Sequence, residues 1–273
     1  MNLVITLGVA ALALGVLWAV QSVVLAALGE PLALPLRYTT RNSVVMRLTG
    51  QAMIQVSWLI ILVGTPLALG IGPLEALHRA FPLPVPWRQI AIAVAIIFIP
   101  SCILFAIYVK AGWLQIAPRF DRTTRRFKLF RRFLTPLPLA TVEEAVFRGT
   151  LLQQLLVSLP QSHAWSAVAI IFSSLAFALV HFIKPPRGKP VGQGIYGFFT
   201  AGCMFGLAYM VGGRSLWLPI AMHATAIGLI EVTKLYAIYT GPRWLVGLPE
   251  VPHSGLVGTI AVLAMMAAML ALL

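Results

Sequence analysis

The chain is short of charge, and shorter still of acid. Of its 273 residues only 10% are charged, and Asp and Glu together number 7. A soluble domain carries about 25% charged residues, so this chain cannot cover itself with water-facing side chains. With 60% hydrophobic residues and a mean hydropathy of +0.93, its main solvent must be the bilayer. Asp121 is the single aspartate, which excludes a hydrolytic site built on two aspartates. The two cysteines, Cys102 and Cys203, lie in apolar runs. They provide neither a disulfide framework nor a metal-type spacing. No His-Glu-x-x-His is present, so a zinc site of that kind is excluded as well. No basic residue precedes the first apolar run, as it would in a cleaved signal peptide, so that run is expected to be a permanent span.

What is present is apolar sequence in lengths suited to crossing a membrane. A spanning helix needs about 20 mostly apolar residues. That rule predicts about eight spans, at 3–27, 51–71, 89–109, 135–159, 164–183, 194–212, 215–235 and 254–273. The expected fold is all-α: a polytopic membrane helical bundle forming a single integral membrane domain over 1–273. Gly202 and Gly206, four apart in "AGCMFG", have the spacing that lets two helix backbones approach closely. "GGR" at 212–214 reads as a tight external turn.

The net charge of +13 follows the pattern of cytoplasmic loops and is not that of a nucleic-acid surface. The segment 110–132 carries Lys110, Arg119, Arg122, Arg125, Arg126, Lys128, Arg131 and Arg132 against Asp121 alone. Placing it in the cytoplasm puts Arg37, Arg41 and Arg47 inside, with Lys184, Arg187 and Lys189. The other side keeps only Arg79, Arg88 and Arg214. Both termini then come out external. The 110–132 segment is either a basic amphipathic stretch on anionic lipid or a solvated loop.

Against this background, "TVEEAVFRGT", Thr141 to Thr150, is anomalous. Each charge at a helix centre costs about 2.5–3.5 kcal/mol on insertion scales. Glu144 and Arg148 are four apart and can pair on a helix, which leaves Glu143, about 100° round, without a local partner. A carboxylate in poorly hydrated surroundings is suited to acid–base work. Of five histidines, His78, His163 and His253 fall in connections or at helix ends and are expected to be solvated. His181 in "FALVHF" and His223 in "LPIAMHATAIG" fall within spans. Together with the Glu-Glu-Arg helix they make the parts of a water-activating site. The bland alternative is a structural ion pair with packing histidines, which leaves the second glutamate unexplained.

"EEAVFR" fits Glu-Glu-x-x-x-Arg, "FALVH" fits Phe-x-x-x-His, and "SLWLPIAMH" is similar to a third motif region. In this order the three resemble the CAAX protease and bacteriocin-processing family of glutamic-type intramembrane proteases. The resemblance covers about 135–235. It implies an all-helical fold with a cavity open to cytoplasm and lipid, and no cofactor or metal. It implies that Glu143 activates a water, that His181 helps hold it and that His223 helps stabilise the oxyanion. Glu144 and Arg148 would shape and orient the site. The substrate implied is a peptide or membrane-anchored protein cut near the cytoplasmic face. Short loops without a soluble domain suit a prokaryotic cell membrane.

The chain departs from the family pattern at one position. The third motif usually runs His-x-x-x-Asn or Asp, and Ile227 stands four after His223. Glu231 lies a further turn on, about 12 Å along the axis from His223, too far to act on the same oxygen. Ile227 favours the alternative of a non-catalytic immunity or scaffold protein that keeps the fold. Three other readings are weaker. A serine type would use Ser215 in "GRSL", but the later histidines are on its own helix or at the edge of the last span. A zinc variant would use Glu143, His181 and His223 as ligands. A transporter would show internal repeats, and none is evident.

Overall fold

A computed structural model describes residues 2–29, 44–118, 120–181 and 191–273. Arg37, Arg41, Arg119, Lys184, Arg187 and Lys189, which carry part of the charge asymmetry, lie outside the described residues. The chain is an all-α polytopic membrane protein. Among the described residues, five helices are long and apolar enough to cross a bilayer: α1 (Asn2–Ala27), α4 (Trp87–Lys110), α8 (His163–Val180), α9 (Val191–Val211) and α10 (Trp217–Tyr236). A sixth candidate is bent. It joins α2 (Val44–Ala68) to the short α3 (Pro73–Ala80) across a 107° break. The last apolar helix, α12 (Leu256–Leu272), is shorter.

The expected span at 135–159 is helical throughout but not uniform. It runs as α6 (Pro136–Glu144), a π-helical segment (Ala145–Leu152) and α7 (Gln153–Ser158). The 110–132 segment and the stretch before α12 also hold structure that apolar run length does not reveal. They contain α5 (Arg122–Leu134), α11 (Arg243–Val246) and a 3₁₀ turn (Pro252–Ser254). A two-stranded antiparallel ribbon pairs β1 (Leu114–Ile116) with β2 (Ala237–Tyr239), Leu114 opposite Tyr239. Each strand is only three residues long and lies in a connection, so no span-length criterion could find it.

Large apolar side chains face outward along the spans, among them Leu12, Leu59, Ile99, Ile103, Phe172 and Leu263. In water that surface would drive aggregation; in lipid it is solvated. The interior is packed with Ala93, Ile96, Ile97, Met204, Phe205, Leu218, Met222, Val262, Met265 and Met269. It links α4, α9, α10 and α12. The Gly202–Gly206 spacing serves the expected close approach. A Cβ on Gly202 would lie 2.8 Å from Ser174 Cβ, and one on Gly206 would lie 2.9 Å from Ile170 Cγ2. The α8 and α9 backbones therefore meet on a glycine face. The 212–214 turn is equally demanding: Gly213 and Arg214 both take positive φ, and the Arg214 amide closes on the Tyr209 carbonyl at 2.8 Å.

The elements sort to two ends of the bundle. Asn2, Thr65, Arg79, Gln153, Tyr209 and Arg214 line one cavity at the first end. The start of α10 is tied there, with the Trp217 indole N–H donating to the Pro82 carbonyl at 3.1 Å. At the other end Arg132 pairs with Glu231 at 3.0 Å and the Arg125 guanidinium lies over Tyr236. The His253 imidazole bonds the Gly197 carbonyl there at 2.8 Å. His253 is thus a partly buried tie between the α9 start and the 3₁₀ turn. This corrects the expectation that it is solvated. His78 and His163 are exposed, as expected.

Candidate active site

The five residues singled out in the sequence come together between α6, the π-helical segment, α8 and α10. Glu143 and Glu144 are the last residues of α6, and Arg148 lies in the π-helical segment that follows. Arg148 Nη1 is 3.1 Å from Glu144 Oε1, and both side chains are fully buried. The expected i,i+4 pair therefore forms, and it forms without solvent. The guanidinium also donates to the Gly202 carbonyl at 2.8 Å from Nη2. It lies over Phe177 and Phe205, 4.8 and 5.6 Å from their centroids. These contacts offset the desolvation that makes a lone buried charge so costly.

Glu144 has a second partner that helix spacing could not disclose. Its Oε1 is 2.7 Å from His223 Nδ1, across 79 residues of chain. His223 sits in the second turn of α10, and Phe205 of α9 stacks on its ring with centroids 4.5 Å apart. His181 caps the C-terminus of α8, where helix carbonyls lose their amide partners. Its Nδ1 is 2.8 Å from the Phe177 carbonyl. The Phe-x-x-x-His spacing is thus the spacing of one helical turn closed by a side chain. Phe198 of α9 stacks on the His181 ring at 4.0 Å and 20°.

With both Nδ1 atoms turned to acceptors, both Nε2 atoms face Glu143. Glu143 Oε2 is 3.7 Å from His223 Nε2 and 3.9 Å from His181 Nε2. These separations are too long for direct hydrogen bonds. They suit one bridging water touching the carboxylate and a ring. Glu143 keeps some exposure, with 14% of its side chain accessible, whereas Glu144 keeps none. One carboxylate is fully enclosed by its partners and its neighbour stays partly open.

The π winding contributes to this frame. Such turns leave carbonyls displaced from the α pattern. Here the Thr150 hydroxyl donates to the Ala145 carbonyl at 3.1 Å and the Ser173 hydroxyl to the Phe147 carbonyl at 2.8 Å. Sequence reasoning missed the π segment, the Gly202 carbonyl and the stacking rings of Phe198 and Phe205. No local spacing marks any of them. Phe177 alone was flagged, as the first residue of its motif.

The other residues weighed from the sequence lie elsewhere. Ser215 is buried, and its hydroxyl accepts the Trp217 amide at 3.2 Å at the start of α10. Glu231 is occupied by Arg132 and Lys234, at 3.0 and 2.6 Å. Ile227 is partly buried on α10, one turn past His223. Among the described residues no group of three or more His, Cys, Asp or Glu side chains is arranged to hold a metal ion.

Residues 126–227 match the family model described as Rce1-like, type II CAAX prenyl endopeptidase Rce1-like. This is the family that the three motifs resemble, and the matched stretch contains all five site residues. At the level of the family the match supports a CAAX-type intramembrane protease. No curated protein and no solved structure matches the chain.

Proposed function

We propose that the chain is a glutamic-type intramembrane endopeptidase with a catalytic core at about 135–235, cleaving a peptide or membrane-anchored protein near the cytoplasmic face. The observation that carries the reading is Glu143, paired with no residue of its own helix and facing two Nε2 atoms at 3.7 and 3.9 Å. Glu143 takes a proton from a water as the water oxygen bonds to the scissile carbonyl carbon. The carbonyl π pair moves onto oxygen. When the tetrahedral intermediate collapses, the C–N bond breaks and the leaving amine takes the proton from Glu143. His181 positions the water.

The contacts of His223 support its role at the oxyanion. Its Nδ1 is committed to Glu144, so Nε2 is the nitrogen left to face an oxyanion. The buried Glu144 carboxylate, 2.7 Å from Nδ1, fixes the ring plane. Glu144 and Arg148 act as positioning residues.

The direct test compares protein termini in cells carrying the wild type or Glu143→Ala. New N-termini present only with the wild type identify substrates; identical sets of termini would count against proteolysis. Cleavage by the purified protein is expected to persist at full rate after exhaustive treatment with a strong zinc chelator. Loss of activity, restored by added zinc, would replace the water-only mechanism with the metal variant.

Orientation belongs to the same reading. With basic residues inside, the α5 end of the bundle is cytoplasmic and both termini are external, in a prokaryotic cell membrane. A cysteine placed at Arg126 is expected to react with an impermeant maleimide only when the cytoplasmic side is open. Labelling from outside intact cells would invert the topology.

The non-catalytic reading rests on Ile227, which donates nothing to an oxyanion. If His223 works without a second donor, Ile227→Asn is expected to raise the cleavage rate by up to about 10²–10³-fold. An unchanged rate would mean that another group already supplies the donor. If the terminus comparison yields no substrate and neither protein cleaves any candidate peptide, the scaffold alternative prevails.

A further inference from the structure

The α5 helix joins the active-site helix to something outside the bundle. Its inner face is docked: Arg125 lies over Tyr236, and Arg132 pairs with Glu231 and bonds the Glu231 carbonyl at 2.6 Å. These positions, i and i+7, lie on one side of the helix. Phe127, Phe130 and Leu134, at i, i+3 and i+7, lie on the opposite side, and each is more than half exposed. Phe133 on the flank is 81% exposed, and Leu137 extends the row into α6. Among the described residues, none of the bundle buries this row.

Its rim is basic. Arg122 and Arg126 are exposed beside the aromatic row. The acid at this helix, Asp121, is used locally: its Oδ1 accepts the Thr124 amide at 2.9 Å and caps the helix. An apolar stripe edged by exposed arginines is the pattern of a helix lying in the plane of an anionic bilayer surface. Trp244, at the same end and 67% exposed, is the side-chain type that settles at such an interface.

We propose that α5 is an interfacial helix docked on anionic phospholipid. Phe127, Phe130 and Leu134 enter the headgroup–acyl boundary, and Arg122 and Arg126 contact lipid phosphates. Only Thr135 separates α5 from α6, which ends at Glu143 and Glu144. Lipid contact on α5 therefore fixes the depth of the carboxylates below the membrane surface. This surface is separate from the catalytic reading and is tested without proteolysis.

The experiment uses the full chain with Cys102→Ala and Cys203→Ala, carrying Phe130→Cys labelled with a small fluorophore. It is reconstituted in vesicles of phosphatidylcholine and phosphatidylglycerol. One lipid at a time is replaced by its brominated form, which quenches on contact. The fluorophore is expected to be shielded from aqueous iodide and quenched by both lipids. Brominated phosphatidylglycerol is expected to quench more strongly than its share of the mixture. Arg122→Gln with Arg126→Gln should remove that excess, worth up to about fivefold enrichment per cation lost. Quenching by iodide and by neither lipid would overturn the proposal in favour of a solvated or protein-facing helix. Equal quenching by both lipids, unchanged in the double variant, would overturn anionic recognition.

Discussion

Replacing Glu143 by glutamine is expected to leave a folded protein that no longer cleaves. Glutamine keeps the shape and size of the side chain and removes its capacity to take a proton. Glu143 is the carboxylate that faces both histidine Nε2 atoms and has no arginine of its own. Loss of a positioned base costs about 10²–10⁴-fold in rate. Glu144 is a poor substitute, because its side chain is fully buried and its Oε1 is shared by Arg148 and His223. Turnover of a substrate taken from the terminus comparison gives the rate, and size-exclusion behaviour in detergent reports the fold. Full turnover by the variant would remove Glu143 from the mechanism.

Arg148→Ala should fail in a different way, by loss of the folded protein. The side chain is fully buried, and its removal takes the arginine partner from Glu144 and the side-chain donor from the Gly202 carbonyl. Breaking one side of a buried pair costs about 3–5 kcal/mol. That is a large share of the 5–15 kcal/mol by which domains are commonly stable. Arg148→Lys keeps the charge but not the fork that reaches Glu144 and Gly202 together, so it should fall between the two. The yield of monodisperse protein and the midpoint of unfolding in denaturing detergent give the measurement. A wild-type midpoint for Arg148→Ala would show that the pair does not hold the site together.

These two variants divide the site along a line that was partly visible in the sequence. The i,i+4 relation of Glu144 and Arg148, and the isolation of Glu143, follow from helix geometry and hold in three dimensions. The helical spans were legible because lipid demands long apolar runs, and the Gly202–Gly206 approach because only glycine permits it. Three kinds of feature were hidden. The bond from Glu144 to His223 joins residues 79 apart, and no local spacing encodes it. The stacking of Phe198 and Phe205 on the two histidines looks, in a chain this apolar, like ordinary core composition. His253 appeared solvated because it falls in a connection, yet its ring is tied to the Gly197 carbonyl. In a membrane protein a connection can fold back against a span, and position relative to apolar runs then misjudges burial.

The wide turn at Ala145–Leu152 also settles a question of phase. Glu144 is tied to His223 of α10, and Gln153 is tied to Tyr209 of α9 at 3.0 Å. Nine steps of unbroken α-helix would set residues 144 and 153 about half a turn apart, on opposite sides of the rod. A single straight helix could then satisfy one anchor and would point the other away from the bundle. Winding with a longer hydrogen-bonded loop spends more residues per revolution and swings the two side chains back toward a common side. The segment behaves as a vernier between two fixed marks, one at the carboxylates and one toward the end of the bundle where Gln153 meets Tyr209. Its length in residues is set by the angle it must make up as much as by the distance it must cross.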